Sequence, residues 1–453
     1  MRFKTINPAT EELIKEYETQ DKEDIFKIVN EAQYAFNDWK SKDISERAKY
    51  MRKLSQVLRR GKNEFAETIT TEMGKPIKQS LAEVEKCAWT AEIYAENSEK
   101  WLEEEIIQAD GKKHIVMFEP LGIILSIMPW NFPFWQAFRF AIPALMAGNV
   151  SILKHSNMVT GCSLAIESVF KDAGFDNVFS SIITEHETVS ELIKHNSVDG
   201  ISLTGSVSAG MKIASLAGQH IKKCVLELGG SDPFIVFDDA DIESAAKAGV
   251  MSRMLNTGQS CISAKRFIVV KSKEKEFTER FVEFTKNLKT GDPMDENTDI
   301  GPLVSARQRD ELEEQLADSV NAGAMLLTGG RRLSRKGFFF EPTVVINVNK
   351  TMRVLSEEVF GPVAPIIPVK DENEAIILAN DSEFGLGVSI WTRDEQKALN
   401  IAEKINAGCV FINSLVKSDP RVPFGGIKKS GIGRELSHYG IKEFVNIKSI
   451  NSY

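Results

Sequence analysis

The chain has 453 residues, 42% of them hydrophobic and 26% charged, with a formal net charge of -8; that length calls for two or three domains, and the acidic balance excludes a general nucleic-acid or anionic-membrane binder. No apolar run reaches the roughly 20 residues of a membrane span, residues 1–6 lack the apolar core of a signal peptide, and the expected location is the cytoplasm. Five scattered cysteines without a Cys-x-x-Cys suit free thiols in a reducing compartment, and six scattered histidines without ligand spacing predict no metal site.

Residues 22–106 carry helical periodicity with short polar breaks, and the apolar spacing predicts amphipathic helices over 24–39 and 45–73. A strand over 114–119 turns at Pro120-Leu121-Gly122 into an apolar strand over 123–127. Strand and helix signals then alternate: strand 150–153, helix 161–173, strand 178–183, helix 187–194, strand 200–203, helix 208–218 and strand 223–228. That alternation predicts an α/β fold with a doubly wound parallel sheet. A second alternating block opens with a strand at 234–237 and a helix from 242, and continues through strands at 266–270 and 410–413. Residues 443–450 read as an isolated strand. Such a strand cannot bury itself, and its unpaired edge would invite aggregation unless another strand covers it.

Two residues suggest chemistry. Cys261 follows Asn256-Thr257-Gly258-Gln259-Ser260, small polar company that suits an accessible thiol in a turn. Glu227 ends the apolar run Cys224-Val225-Leu226, where burial would raise its pKa. A lone cysteine is more often structural and a lone glutamate more often a salt-bridge partner. Together, a thiolate and a water-activating carboxylate are the parts needed to form and hydrolyse a thioester. Gly205-Ser206-Val207-Ser208-Ala209-Gly210 follows a strand and opens a helix, a place where backbone approaches pyrophosphate and the helix N-terminus favours the anion.

Six motifs stand in order along nearly the whole chain: Pro129-Trp130-Asn131-Phe132-Pro133, Leu203-Thr204-Gly205-Ser206, Glu227-Leu228-Gly229-Gly230, Asn256-Thr257-Gly258-Gln259-Ser260-Cys261, Glu357-Glu358-Val359-Phe360-Gly361-Pro362 and Pro423-Phe424-Gly425-Gly426. In this set the chain resembles the aldehyde dehydrogenase superfamily. The resemblance implies two doubly wound domains with a small β bridging element. The cofactor domain would span 1–101 and 121–228, and the catalytic domain 229–430. Residues 102–120 and 431–453 would bridge subunits in a homodimer or homotetramer.

The resemblance also implies roles. Cys261 would attack the aldehyde carbon, Asn131 and the nucleophile's own N–H would hold the oxyanion, and hydride would pass to a nicotinamide. Glu227 would then activate the water that hydrolyses the thioester, which favours release of a free acid over transfer to coenzyme A. Trp130, Gly205 and Ser206 would bind the cofactor, Lys154 its adenine ribose, and Glu358 and Phe360 the nicotinamide half. Relatives that prefer NAD often carry a glutamate where this chain has Asn157. Without that carboxylate a 2′-phosphate meets no repulsion, so NADP is admissible beside NAD, with Lys154, His155 and Ser156 as its supports.

For the substrate, Arg139 matches the arginine that binds the carboxylate in succinate-semialdehyde dehydrogenases, and Lys417-Ser418-Asp419-Pro420-Arg421 adds likeness to a bacterial and archaeal branch of these enzymes. Trp135 and Leu255 would wall the pocket beside Ser418. Leu255 stands where some relatives place a second substrate arginine, and Ser263 stands where some place a redox-partner cysteine. The expectation is oxidation of a small aldehyde, succinate semialdehyde before neutral glyceraldehyde or lactaldehyde. A catalytically silent structural protein on the same fold, like some lens proteins, is the rival that intact Cys261, Glu227 and Asn131 oppose.

Overall fold

The helical periodicity of the first hundred residues folds as four helices, Lys22–Ser41, Ile44–Arg60, Lys62–Met73 and Ile77–Trp101, in a computed structural model that describes all residues from Met1 to Tyr453. The single helix expected over 45–73 breaks at Gly61, a weak helix former, where an ideal Cβ would stand 2.5 Å from the Phe65 ring. The hairpin Arg2–Ile6 with Leu13–Glu18 precedes them and carries no clear alternation that would have announced it.

One sheet has six strands in the order Gly431–Ile432, Lys223–Glu227, Val198–Thr204, Ile123–Met128, Val150–His155 and Phe179–Ile182. The last five are parallel. The chain enters at Ile123–Met128, winds outward through two strands, then returns to build the other side. The order therefore reverses between Ile123–Met128 and Val198–Thr204, and such reversals leave a crevice beyond the carboxyl ends of the strands. Pro129-Trp130-Asn131 leaves the first of these two strands and Gly205-Ser206 leaves the second.

The second sheet has seven strands, in the order Met325–Thr328, Thr343–Ile346, Val363–Val369, Ala264–Val270, Asp232–Val236, Gly387–Trp391 and Cys409–Ile412. All but the first are parallel, with an apolar core on each face. Only Leu228 to Ser231 separates Lys223–Glu227 from Asp232–Val236. The carboxyl edge of the first sheet thus meets the amino edge of the second. Asp232 pairs with Ala264, three residues beyond Cys261, so the segment carrying Cys261 lies beside the one that follows Glu227. The two run so close that a Cβ on Gly230 would stand 2.7 Å from the Cys261 carbonyl oxygen.

The strand expected to be isolated is paired within its own chain. Val445–Ser452 runs antiparallel to Lys113–Pro120 over its full length, and Glu105–Ile107 flanks the other side. One edge of Val445–Ser452 stays open, with Ile447 64% and Ile450 46% exposed. No helix is long and apolar enough to cross a membrane.

Candidate active site

Helix Pro133–Met146 is buried at every residue. Proline at its first position suits a helix start, but Phe132 offers no capping side chain. Glu83, from helix Ile77–Trp101, supplies the cap: its Oε1 accepts the N–H of Phe134 at 2.9 Å and of Trp135 at 3.0 Å. Lys75 neutralises Glu83 and sits 3.7 Å over the Phe132 ring. This clamp fixes the turn that carries Asn131. It also sets Gln136 and Arg139, three residues apart, on one helix face.

The turn before Cys261 is strained. Asn256, Thr257 and Gly258 take φ of 53°, 56° and 72°, a left-handed run that only glycine adopts freely. Hydrogen bonds hold it. The Asn256 N–H donates to Gln79 Oε1 at 2.8 Å, and Asn256 Nδ2 donates to the carbonyls of Asn131 at 2.8 Å and Gln259 at 3.1 Å. Gln259 Oε1 in turn accepts the N–H of Val304 at 2.9 Å. Lys265 Nζ donates to the carbonyls of Ser260 and Cys261 at 2.9 and 2.7 Å.

Cys261 lands where two cavities meet. The larger, about 530 Å³, follows the crevice of the first sheet and is lined by Trp130, Asn131, Gly205, Ser206, Glu358 and Phe360, among others. The smaller, about 290 Å³, is walled by Phe132, Trp135, Leu255, Ile262 and Phe424, with Lys86, Arg139 and Ser418. Gln136 and Cys261 belong to both. Burial pushes the Cys261 thiol up to about 12, against the pull of Arg139 and Lys265. The sulfur is half-buried at this junction, in keeping with the accessible thiol expected of the turn, and desolvation by the cavity walls favours its neutral form.

Asn131 is buried and spanned by two partners. Its Nδ2 donates to the Gln259 carbonyl at 3.0 Å, and its Oδ1 accepts Gln136 Nε2 at 3.1 Å. One amide hydrogen remains unspent. The backbone N–H of Cys261 also finds no acceptor in the protein. Two donors are thus available beside the sulfur.

Glu227 lies behind the cavity walls and lines neither space. Both of its oxygens are buried without a hydrogen-bond partner, and a Cβ on Gly425 would come within 2.9 Å of Oε1. Desolvation raises its pKa to about 8, with Arg139 opposing and Glu435 assisting. The direction is the one expected from the apolar run before it.

Arg139 differs from expectation. It borders the smaller cavity, but it is ion-paired with buried Glu435, donates to Thr204 Oγ1 at 3.4 Å and lies 4.9 Å over the Phe424 ring. Its charge is already matched inside the fold, so it is not a free cation awaiting a carboxylate. Ser418 likewise has a partner, accepting from Lys86 Nζ at 2.7 Å.

The cofactor candidates divide into two groups. Trp130 and Phe360 meet edge to face at 5.7 Å across the larger cavity. Glu358 is anchored there, accepting the Gly230 N–H at 3.0 Å beside Lys265 at 3.4 Å. Gly205 is open: a Cβ there would meet only Leu203, at 3.7 Å, leaving space for a ligand at the start of helix Val207–Gln219. Lys154, at the end of the neighbouring strand, is buried with no side-chain partner in the protein. Ser156 and exposed Asn157 line a separate small recess with His155. His155 cannot serve a 2′-phosphate as a cation. Its ring is buried against the Pro133 carbonyl at 2.9 Å, and desolvation lowers its pKa to about 4. A pyrophosphate-bearing dinucleotide fits these residues: glycine-lined backbone, a helix start and an unspent lysine lie along one sheet edge.

Glu83, Lys86, Gln136 and Glu435 were not singled out from the sequence. Gln79, Glu83 and Lys86 repeat at three- and four-residue spacing, but that pattern equally describes a solvated helix face.

The profile of the aldehyde dehydrogenase family matches residues 1–450. A succinate semialdehyde dehydrogenase [NAD(P)+] of Escherichia coli (strain K12) is 46% identical over 447 residues, covering 98% of this chain and 97% of that protein. The solved structure of succinic semialdehyde dehydrogenase from Streptococcus pyogenes, in complex with NADP+ as the cofactor, superposes with a TM-score of 0.97 at 36% identity, covering 99% of each chain. A structure of Gox0499, solved for its cofactor and substrate selection, gives a TM-score of 0.99 at 40% identity over 100% of both chains.

Proposed function

Because this chain belongs to the aldehyde dehydrogenase family, we propose that it oxidises succinate semialdehyde to succinate, with NADP or NAD as the hydride acceptor. The observation that carries this reading is the position of Cys261 at the junction of a dinucleotide-sized cleft and a small apolar chamber that contains cations.

The aldehyde enters the chamber lined by Trp135 and Leu255, and its carbonyl carbon meets Cys261 Sγ. Attack forms the C–S bond as the carbonyl π pair moves onto oxygen, and the thiol proton passes to water in the cavity and on to solvent. Negative charge gathers on the former carbonyl oxygen, where the free amide hydrogen of Asn131 and the Cys261 N–H stabilise it. NAD(P), held by Trp130, Lys154, Gly205, Glu358 and Phe360, would supply the two-electron hydride acceptor, and with the hydride removed the substrate carbon remains on Cys261 at the oxidation level of a thioester. Glu227, ionised, takes a proton from water, and the resulting hydroxide attacks the thioester and frees the acid and the thiol. Because Glu227 stands behind the cavity, its side chain swings toward Cys261 for this step. Gly425, with no Cβ against Glu227, leaves it room to move.

Glu358, Phe360 and Trp130 would orient the nicotinamide half, and Lys154 the ribose. The open, partly apolar edge at Ile447 and Ile450 supports a homo-oligomer built on the three-stranded sheet, and five free cysteines suit the cytoplasm. The aromatic and aliphatic walls of the smaller chamber also suit a neutral short aldehyde as a slower substrate. Steady-state kinetics on succinate semialdehyde, butanal, glyceraldehyde and lactaldehyde, with NAD and NADP separately, test the reading. The expected outcome is highest kcat/KM for succinate semialdehyde; equal or better turnover of butanal overturns it.

A further inference from the structure

The smaller cavity contains or borders five charged side chains: Lys78, Glu83, Lys86, Arg139 and Lys417. Lys78 is paired with Asp299 at 2.6 Å, Glu83 with Lys75, and Arg139 with Glu435. Lys417 is exposed at the rim. Lys86 alone is a partly enclosed cation with no carboxylate within ion-pair distance. Its ammonium sits 4.1 Å over the Trp135 ring and donates one hydrogen to Ser418 Oγ at 2.7 Å. Two ammonium hydrogens are left over. The Ser418 hydroxyl, having accepted, still has its own proton to give.

We propose that Lys86, positioned by Trp135 and Ser418, is the specificity-determining residue that binds the carboxylate of the substrate, with Ser418 as the second donor. The proposal rests on the succinate-semialdehyde reading above and names the side chain that carries its selectivity. The geometry favours Lys86 over Arg139 because a buried charge already met by Glu435 gains little from a second anion, whereas an enclosed ammonium without a counter-ion gains a full partner. Burial lowers the Lys86 pKa to about 8. Arg139 adds to that, while Cys87, Asp419 and Glu83 oppose it without any of them pairing directly with the ammonium. The position also fits the substrate. Lys86 and Cys261 line the same chamber of about 290 Å³, so one short molecule can present its aldehyde to the sulfur and its carboxylate to the ammonium. Leu255, where some relatives have a second substrate arginine, leaves that task to a lysine arriving from a different helix, Ile77–Trp101.

The test compares wild type, Lys86→Met, Lys86→Arg and Arg139→Gln on succinate semialdehyde and on butanal, which has the same carbon count without the carboxylate. The reported quantity is the ratio of the two kcat/KM values, accompanied by the inhibition constant of succinate against butanal oxidation. Losing one charge-assisted contact predicts a drop in the Lys86→Met ratio of about 10- to 100-fold, mostly through KM for succinate semialdehyde. Succinate inhibition should weaken by a similar factor, and Lys86→Arg should recover a substantial part of both. A Lys86→Met ratio within about twofold of wild type, with Arg139→Gln losing the selectivity instead, overturns the assignment and returns the role to Arg139. Equal losses on both aldehydes in Lys86→Met, without rescue by Lys86→Arg, overturn it as a packing effect. A wild type that shows no preference for the carboxylated aldehyde overturns the substrate reading itself, and the proposal with it.

Discussion

The Gln136 side-chain amide donates to Asn131 Oδ1 at 3.1 Å and so fixes which way the Asn131 amide faces. With Oδ1 held, Nδ2 points to the Gln259 carbonyl, two residues before Cys261, and its second hydrogen stays free beside the sulfur. Removing an oxyanion donor costs about 100- to 1,000-fold in kcat, and Asn131→Ala should show a loss of that size. Gln136→Leu should lose less, about tenfold, because the donor is present but no longer held. Both variants should bind cofactor as wild type does by fluorescence titration. Wild-type kcat in Gln136→Leu would show that Asn131 needs no such support.

Glu227 sets a pH dependence. Its pKa is raised to about 8 by burial, and only the ionised form activates water. Thioester hydrolysis should therefore accelerate as pH rises through about 8 and level off above it. Glu227→Gln should give a burst of reduced cofactor and then stall, with no such pH limb in stopped-flow traces. Stability moves the other way. The folded protein holds this proton more tightly than the unfolded chain, so the associated stability is present at low pH and lost as pH rises through about 8. Glu227→Gln should flatten that decline in thermal melts taken from pH 6 to 9.

The turn at Gly258 should tolerate no side chain. It has a positive φ, and a Cβ there would collide with the Gly361 carbonyl. Strain of this kind costs on the order of 1–3 kcal/mol, and the clash adds to it. Gly258→Ala should lower Tm measurably and reduce kcat together, since the displaced turn carries Cys261. An unshifted Tm would mean that the loop repacks without cost.

Asn157 tests the cofactor preference. It is exposed on the turn after Lys154, and His155 beside it stays neutral. Asn157→Glu should shift the ratio of kcat/KM toward NAD, because a carboxylate there repels a 2′-phosphate. The ratio measured with each cofactor at saturating aldehyde is the readout, and no shift would place the adenosine ribose away from this turn.

The sequence made the alternating parallel sheets legible because strands buried on both faces, such as Ile123–Met128 with only Ile127 part-exposed, read as short apolar runs between glycines and prolines. Cys261, Asn131 and Glu227 stand out in the sequence because each sits in a distinctive local string. What the sequence hid was long-range partnership. Arg139 and Glu435 lie 296 positions apart and meet only after both sheets form. Lys86 looks like any helix-surface lysine until Trp135 and Ser418 close around it. The pairing of Val445–Ser452 with Lys113–Pro120 was missed for the same reason: strand pattern shows that an edge needs a partner and not which one it has.

The two chambers that share Cys261 and Gln136 give the reaction two compartments with different linings on either side of the sulfur. Acid can depart past Lys86 while the dinucleotide remains in its own cleft, and a fresh dinucleotide can exchange while the chamber still holds an acyl group. Traffic through the enzyme is then not a queue in a single corridor. The order in which products leave is set by how tightly each is gripped, and so can be retuned on one side without rebuilding the other.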